Sequence, residues 1–279
     1  MRLDLRTAAL TLLALIAFAS NSLLTRLALG SGQIDAATFT LVRLGAGAVV
    51  LTLLARPSLR GGGVLGPLAL FAYAAPFSFA YLRIGAAVGA LVLFGVVQLT
   101  MIGYALVRGE RPAPLTWVGL VLAAGGLAVL TVPSVSRPDP FGVVLMAIAG
   151  VAWGVYSLAG KKVADPLAAN ARSFLWSSAL AVIMVLVSRT PVTASGSGIV
   201  LALVSGGVTS GLGYALWYRV LPRLTVTQAA VAQLTVPVIA ALAAVGLLEE
   251  RLSIRLVIAG ALVLSGVGLV LVTRSRQAA

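Results

Sequence analysis

The chain contains no cysteine and no histidine, and only 7 of its 279 residues are acidic. Without thiols there are no disulfides, no thiol chemistry and no thiolate metal sites. Without imidazole the commonest general base and metal ligand are missing too, so neither a metal centre nor a resident cofactor is expected. Charge of either sign is sparse: Asp, Glu, Lys and Arg make up 10% of the residues, against about 25% in a soluble domain. What is there is apolar. Hydrophobic residues account for 60% of the chain, and the mean hydropathy is +1.09. No soluble fold of this length hides that much apolar surface, so lipid is the expected solvent.

The net charge of +13 does not point to nucleic acid, because no basic run exceeds Lys161-Lys162. Basic residues instead sit singly or in pairs between apolar stretches, as in membrane proteins. The opening Met1-Arg2-Leu3-Asp4-Leu5-Arg6 is followed by an apolar run reaching about Leu24. That run is too long for the core of a signal peptide and is expected to be a retained first helix.

A spanning helix needs about 20 mostly apolar residues. Ten such spans are predicted, at 7–29, 35–55, 64–82, 85–107, 114–132, 140–160, 167–188, 196–218, 225–247 and 252–273. Short connections rich in Gly and Pro join them, including Gly30-Ser31-Gly32, Gly61-Gly62-Gly63, Pro112, Pro133, Pro191 and Pro222. With the N-terminus in the cytoplasm, twelve Lys and Arg fall inside: Arg2, Arg6, Arg56, Arg60, Arg108, Arg111, Lys161, Lys162, Arg219, Arg223, Arg274 and Arg276. Six fall outside: Arg26, Arg83, Arg137, Arg189, Arg251 and Arg255. This two-to-one bias places both termini in the cytoplasm.

The halves resemble each other. Gly109-Glu110-Arg111 follows the fourth span and Glu249-Glu250-Arg251 the ninth, 140 residues later. Arg43 in the second span matches Arg172 in the seventh. Five helices per unit is an odd number, so the second unit, 133–279, crosses the membrane in the opposite sense to the first, 1–132. This is the inverted repeat of many secondary transporters, whose substrate site lies at the midplane. Two five-helix units, each with a Glu-Arg turn before a Gly-rich last helix, resemble the EamA-type permeases of the drug/metabolite transporter superfamily. Within that superfamily the chain is most similar to the YddG-type amino-acid exporters. The resemblance implies alternating-access export of neutral, largely hydrophobic or aromatic amino acids across a bacterial inner membrane. The alternative is export of drugs or other small metabolites on the same fold.

Polar side chains deep in a span are expensive and default to functional hypotheses. Asn21, Gln98 and Gln233 are of this kind; interhelical hydrogen bonding is the competing reading. Among the aromatics, Tyr73, Phe77, Phe94, Trp153 and Trp176 lie near mid-membrane. A cavity for apolar substrates lined by Asn21, Tyr73, Phe77, Phe94, Gln98, Trp153 and Trp176 is therefore expected, with helix packing as the plainer alternative. Tyr81, Tyr104, Trp117, Tyr214, Trp217 and Tyr218 lie near span ends and read as an interfacial belt. Arg43 and Arg172 are either structural or partners of a substrate carboxylate. Pro76 and Pro237 fall mid-helix and are hinge candidates. Gly85-x-x-x-Gly89 and Gly207-x-x-x-Gly211 permit close helix contact.

With no His, no Cys and no acid inside a span, an intramembrane enzyme is not expected. Gly154 to Lys162 imitates a phosphate-binding loop but is one residue too long and lacks the final Ser or Thr. Nothing resembles a channel's selectivity filter. All seven acids, Asp4, Asp35, Glu110, Asp139, Asp165, Glu249 and Glu250, fall at span ends or in loops. An obligatory proton antiport is therefore not expected either.

Overall fold

The computed structural model describes residues 5–56, 63–107, 114–131, 138–160, 163–188, 191–220, 223, 232–233 and 235–277. Ten helices account for nearly all of these residues. They are α1 Leu5–Gly30, α2 Ala36–Ala55, α3 Leu65–Tyr81, α4 Ala86–Val107, α5 Pro114–Thr131, α6 Pro140–Gly160 and α7 Pro166–Val187. α8 is Gly196–Val220, α9 Thr235–Leu248 and α10 Ile254–Gln277. The starts are set by short polar side chains that satisfy first-turn amides. Asp35 accepts from Thr38 N at 2.9 Å, Asp139 from Gly142 N at 2.7 Å and Asp165 from Ala168 N at 3.0 Å. Ser195 and Ser253 do the same for α8 and α10. Pro140 and Pro166 stand at the first helical positions of α6 and α7, where no amide partner is lost.

α1, α2, α6, α7 and α8 are long and apolar enough to cross a membrane. The other five are apolar but present shorter continuous stretches. α3, at 17 residues, extends about 26 Å, against about 30 Å of hydrocarbon. The outer faces of the bundle are apolar: Leu53, Ile183, Leu186, Leu242 and Ile254 are all more than half exposed. A continuous apolar exterior of this kind belongs in lipid, and the chain is a multi-pass membrane protein.

α3 packs on α6 and α8 on α1; α4 packs on α6 and α9 on α1; α2 packs on α8 and α7 on α3. Three further pairs face each other, α2 with α7, α4 with α9 and α5 with α10. The core sits where α1, α3, α4, α6 and α8 converge, around Ala14, Tyr73, Phe77, Ala90, Phe94 and Met146.

Two sequence expectations change. The eighth span is not a uniform α-helix: Val204–Leu212 winds as a π-helix between two α segments, Gly196–Leu203 and Gly213–Val220. Within this stretch a β-carbon on Gly206 would run into the backbone carbonyl of Arg43, so α8 and α2 meet backbone to backbone. Of the expected motif, Gly211 is also tight, a β-carbon there standing 3.0 Å from Val50, whereas at Gly207 the nearest atom would be 3.5 Å off. Pro76 lies inside α3 as expected; Pro237 is the third residue of α9, and most of the ten residues before Thr235 lie outside the described ones. Of the aromatics assigned to an interfacial belt, Trp117 and Tyr104 are exposed, whereas Tyr81, Tyr214 and Trp217 are buried inside the bundle. The first Glu-Arg turn, Gly109-Glu110-Arg111, lies outside the described residues, as do Arg2, Asp4, Arg60, Arg108, Pro112, Pro133, Arg137, Lys161, Lys162, Arg189 and Pro222.

Candidate functional site

Asn21, on α1, is buried and anchors a polar cluster inside an apolar bundle. Its Oδ1 accepts from Ser205 Oγ at 2.7 Å and from Thr209 Oγ1 at 3.4 Å, both on the π-helical stretch of α8. Its Nδ2 approaches the Tyr73 hydroxyl of α3 at 3.5 Å. The same hydroxyl accepts from Arg43 Nη2 at 2.9 Å, and Arg43 Nε reaches Ser210 Oγ at 3.4 Å. The wide winding of α8 is what presents Ser205, Thr209 and Ser210 along one side, a geometry frequent at functional sites.

Aromatic rings close the cluster off. Trp153 of α6 is their hub, with ring centroids 4.9 Å from Tyr73, 5.1 Å from Tyr214 and 5.5 Å from Tyr156. Tyr73 continues to Phe77 at 5.2 Å, and Phe18 meets Tyr214 at 5.6 Å. Between these rings and the polar cluster lies a central cavity of about 20 Å³. That holds about one water, so a substrate needs the rings to part. A second cavity, of about 920 Å³, opens between the start of α3, the end of α6 and α7, along Gly66, Tyr156, Asn170, Arg172, Ser173 and Trp176. Its volume suits a small organic ligand. Trp153 lines the small cavity and Tyr156 the large one, and the two rings are in contact at a tilt of 35°.

Of the expected lining, the structure brings together Asn21, Tyr73, Phe77, Phe94 and Trp153 around the central cavity. Gln98 is buried on α4 but is not part of the lining. Trp176 is 55% exposed and borders the large lateral cavity instead. Arg43 lies directly behind the central cavity, whereas Arg172 is half-buried beside the lateral one, so the matched arginines have different surroundings. The lining also includes Phe18, Ser22, Leu93, Thr209, Ser210 and Tyr214. Of these, the hydroxyl-bearing run Val204-Ser-Gly-Gly-Val-Thr-Ser210 inside an apolar span was the available signal.

The two ends of the bundle differ. At the end where α1 passes to α2, an isolated antiparallel bridge joins Ile34 to Ala194. Asp35 N donates to Thr193 O at 2.8 Å, Ser195 N to Gln33 O at 2.8 Å and Thr193 N to Asp35 Oδ2 at 3.1 Å. At the same end Glu250 accepts from the first amides of α4, Ala86 N at 2.8 Å and Ala87 N at 3.4 Å, with Arg26 Nε at 3.7 Å. Arg83 and Asp139 pair there at 3.5 Å. The lateral cavity lies at the opposite end.

Residues 140–272 match the EamA-like transporter family. The chain is 47% identical to an uncharacterized protein of Pseudomonas aeruginosa over 99% of its own length and 98% of that protein's. It is 27% identical to an uncharacterized transporter of Archaeoglobus fulgidus, over 68% of this chain and 69% of that one. A solved crystal structure superposes with a TM-score of 0.70 at 23% identity, over 96% of this chain and 98% of the other.

Proposed function

Because this chain belongs to the EamA-like transporter family, we propose that it is a secondary transporter exporting neutral, largely hydrophobic or aromatic amino acids across a bacterial inner membrane. The observation that carries the substrate class is the aromatic cavity around Asn21, whose walls come from α1, α3, α4, α6 and α8. An apolar side chain would pack among Phe18, Phe77, Phe94, Trp153 and Tyr214, while the amide and hydroxyl groups would take the polar end.

The mechanism proposed is alternating access by two inverted five-helix units, 1–132 and 133–279, with both termini in the cytoplasm. Helix packing supports the repeat. Shifting every helix number by five turns α3 on α6 into α8 on α1, and α4 on α6 into α9 on α1, and leaves α2 with α7 and α5 with α10 unchanged. The family match also falls within the second unit. Hydrogen bonds and ion pairs gathered at one end, with a wide cavity at the other, support a conformation closed outward and accessible from within.

Among the described residues no carboxylate lies within a span where it could couple protons. Asp35, Asp139 and Asp165 are engaged as helix caps, and Glu250 holds the start of α4. Chemistry on the substrate is not expected from these residues, and the protein is read as a carrier rather than an enzyme.

The test is counterflow into proteoliposomes with a panel of radiolabelled solutes. Saturable exchange of phenylalanine, leucine and related amino acids is expected. Exchange confined to cationic drugs or sugars, with no amino acid moving, would overturn the substrate assignment in favour of a drug or metabolite exporter.

A further inference from the structure

Arg43 is the most deeply buried charge in the described bundle, at 1% exposure in the middle of an apolar helix. Its side chain is a guanidinium cation. The ion pairs among the described residues are Arg26 with Glu250 and Arg83 with Asp139; Arg43 is in neither. Its neighbours are neutral. Nη2 donates to the Tyr73 hydroxyl and Nε to Ser210 Oγ, the rings of Phe77 and Tyr73 lie 4.7 and 5.2 Å from its Cζ, and Nη1 has no hydrogen-bond partner at all. A buried cation with an unsatisfied donor is costly unless something anionic reaches it. Tyr73, Phe77 and Ser210, which surround the guanidinium, all line the central cavity.

The cationic side of the site has no anionic counterpart. Among the described residues no acid lines the cavity. Asn21 Oδ1, the amide oxygen that an ammonium would need, already accepts from Ser205 and Thr209. The electrostatic match is therefore to a carboxylate and not to a zwitterion as a whole.

Resting on the transport function proposed above, we propose that Arg43 is the carboxylate receptor of the central cavity, and that the ammonium of an amino acid is dispensable. Aryl-alkanoates that lack an amine are then substrates of the same path. The carboxylate takes Nη1 and shares the Tyr73 and Ser210 hydroxyls, in the forked geometry that favours arginine over lysine. The aromatic walls take the ring.

The experiment compares three ligands of one shape on the reconstituted full chain: phenylalanine, 3-phenylpropanoate without the amine, and phenylalaninamide without the carboxylate. Competition against labelled phenylalanine counterflow should be comparable for the first two and at least about tenfold weaker for the amide, the loss expected for one charge-assisted hydrogen bond. Arg43→Gln should remove the preference over the amide, and Arg43→Lys should keep part of it. Labelled 3-phenylpropanoate should itself exchange. Equal competition by the amide in the wild-type chain overturns the role of Arg43, and failure of 3-phenylpropanoate to compete overturns the dispensable ammonium. If no amino acid moves, the transport assignment is what has failed. The carboxylate requirement is then still decided by the thermal shift of the detergent-purified wild-type chain with 3-phenylpropanoate against phenylalaninamide, where stabilisation by the carboxylate alone upholds it and equal or reversed stabilisation refutes it.

Discussion

Ile34 and Ala194 offer a direct way to hold one end of the bundle shut. The hydrogen bonds flanking the pair run from Asp35 N to Thr193 O and from Ser195 N to Gln33 O, so the two residues themselves form a non-hydrogen-bonded antiparallel pair. In such pairs the Cα atoms stand about 4.5 Å apart, inside the window of about 4.4–6.8 Å that a disulfide spans. The native chain has no cysteine, so Ile34→Cys with Ala194→Cys introduces the only thiols. The three hydrogen bonds of this clasp are together worth about 1.5–4.5 kcal/mol. That is a closure thermal motion can open, at a population cost of roughly ten- to two-thousandfold. A covalent link cannot be opened in this way. If transport requires this end to part, counterflow should fall in proportion to the fraction oxidised, and a reductant should restore it. The single variants with oxidant should stay active. Fully cross-linked protein that exchanges substrate at the unlinked rate would show that the clasp does not move in the cycle, and the outward gate would have to lie elsewhere.

Gly206→Ala should destabilise the detergent-solubilised chain by about 1–3 kcal/mol or more, since the obstacle is the Arg43 backbone and not a flexible side chain. Gly207→Ala, one residue on, meets nothing closer than 3.5 Å and should be neutral or mildly stabilising; thermal unfolding of both variants checks this, and equal effects would contradict the packing described. Glu250→Gln keeps a neutral acceptor for Ala86 and Ala87 but loses the charge facing Arg26 and the start of α4, so a loss of about 0.5–1 kcal/mol is expected in the same assay, and Glu250→Ala should lose more. Amino-acid counterflow should be the same with and without an imposed pH gradient; accumulation that appears only with the gradient and collapses with a protonophore would reveal a proton path through groups other than the capping acids.

Depth was legible in the sequence and direction was not. Apolar run length located ten helices, with bounds close to those observed except at the start of the ninth, which falls among residues not described, and the cost of an amide in lipid singled out Asn21. Trp176 and Trp153 show where this stops. Both lie well inside their spans, yet one is exposed at the border of the lateral cavity and the other is the hub of the aromatic cluster. A helix in a membrane bundle is apolar on its lipid face and on its packed face alike, so no polar stripe tells the two apart. Tyr214 and Trp217 were misread for a related reason: they fall near the end of a span of ordinary winding, and the π segment changes their bearing. Arg43 was visible as a costly residue, but whether it met a carboxylate or only hydroxyls depended on helices 30 and 167 residues away.

The winding of α8 also makes it a vernier between the two ends of the protein. Val204–Leu212 fits about one more residue into each turn than the segments on either side. Ser195, at the clasp, and Tyr214, at the aromatic wall, are therefore set in angle by how many residues lie between them as much as by what those residues are. Shedding a single residue from this stretch and rewinding it as ordinary helix would turn everything beyond it by about 100°. Tyr214 and Trp217 would swing away from Phe18, and the cavity would lose a wall with no side chain altered. At this point in the chain, residue count is itself a determinant of the site.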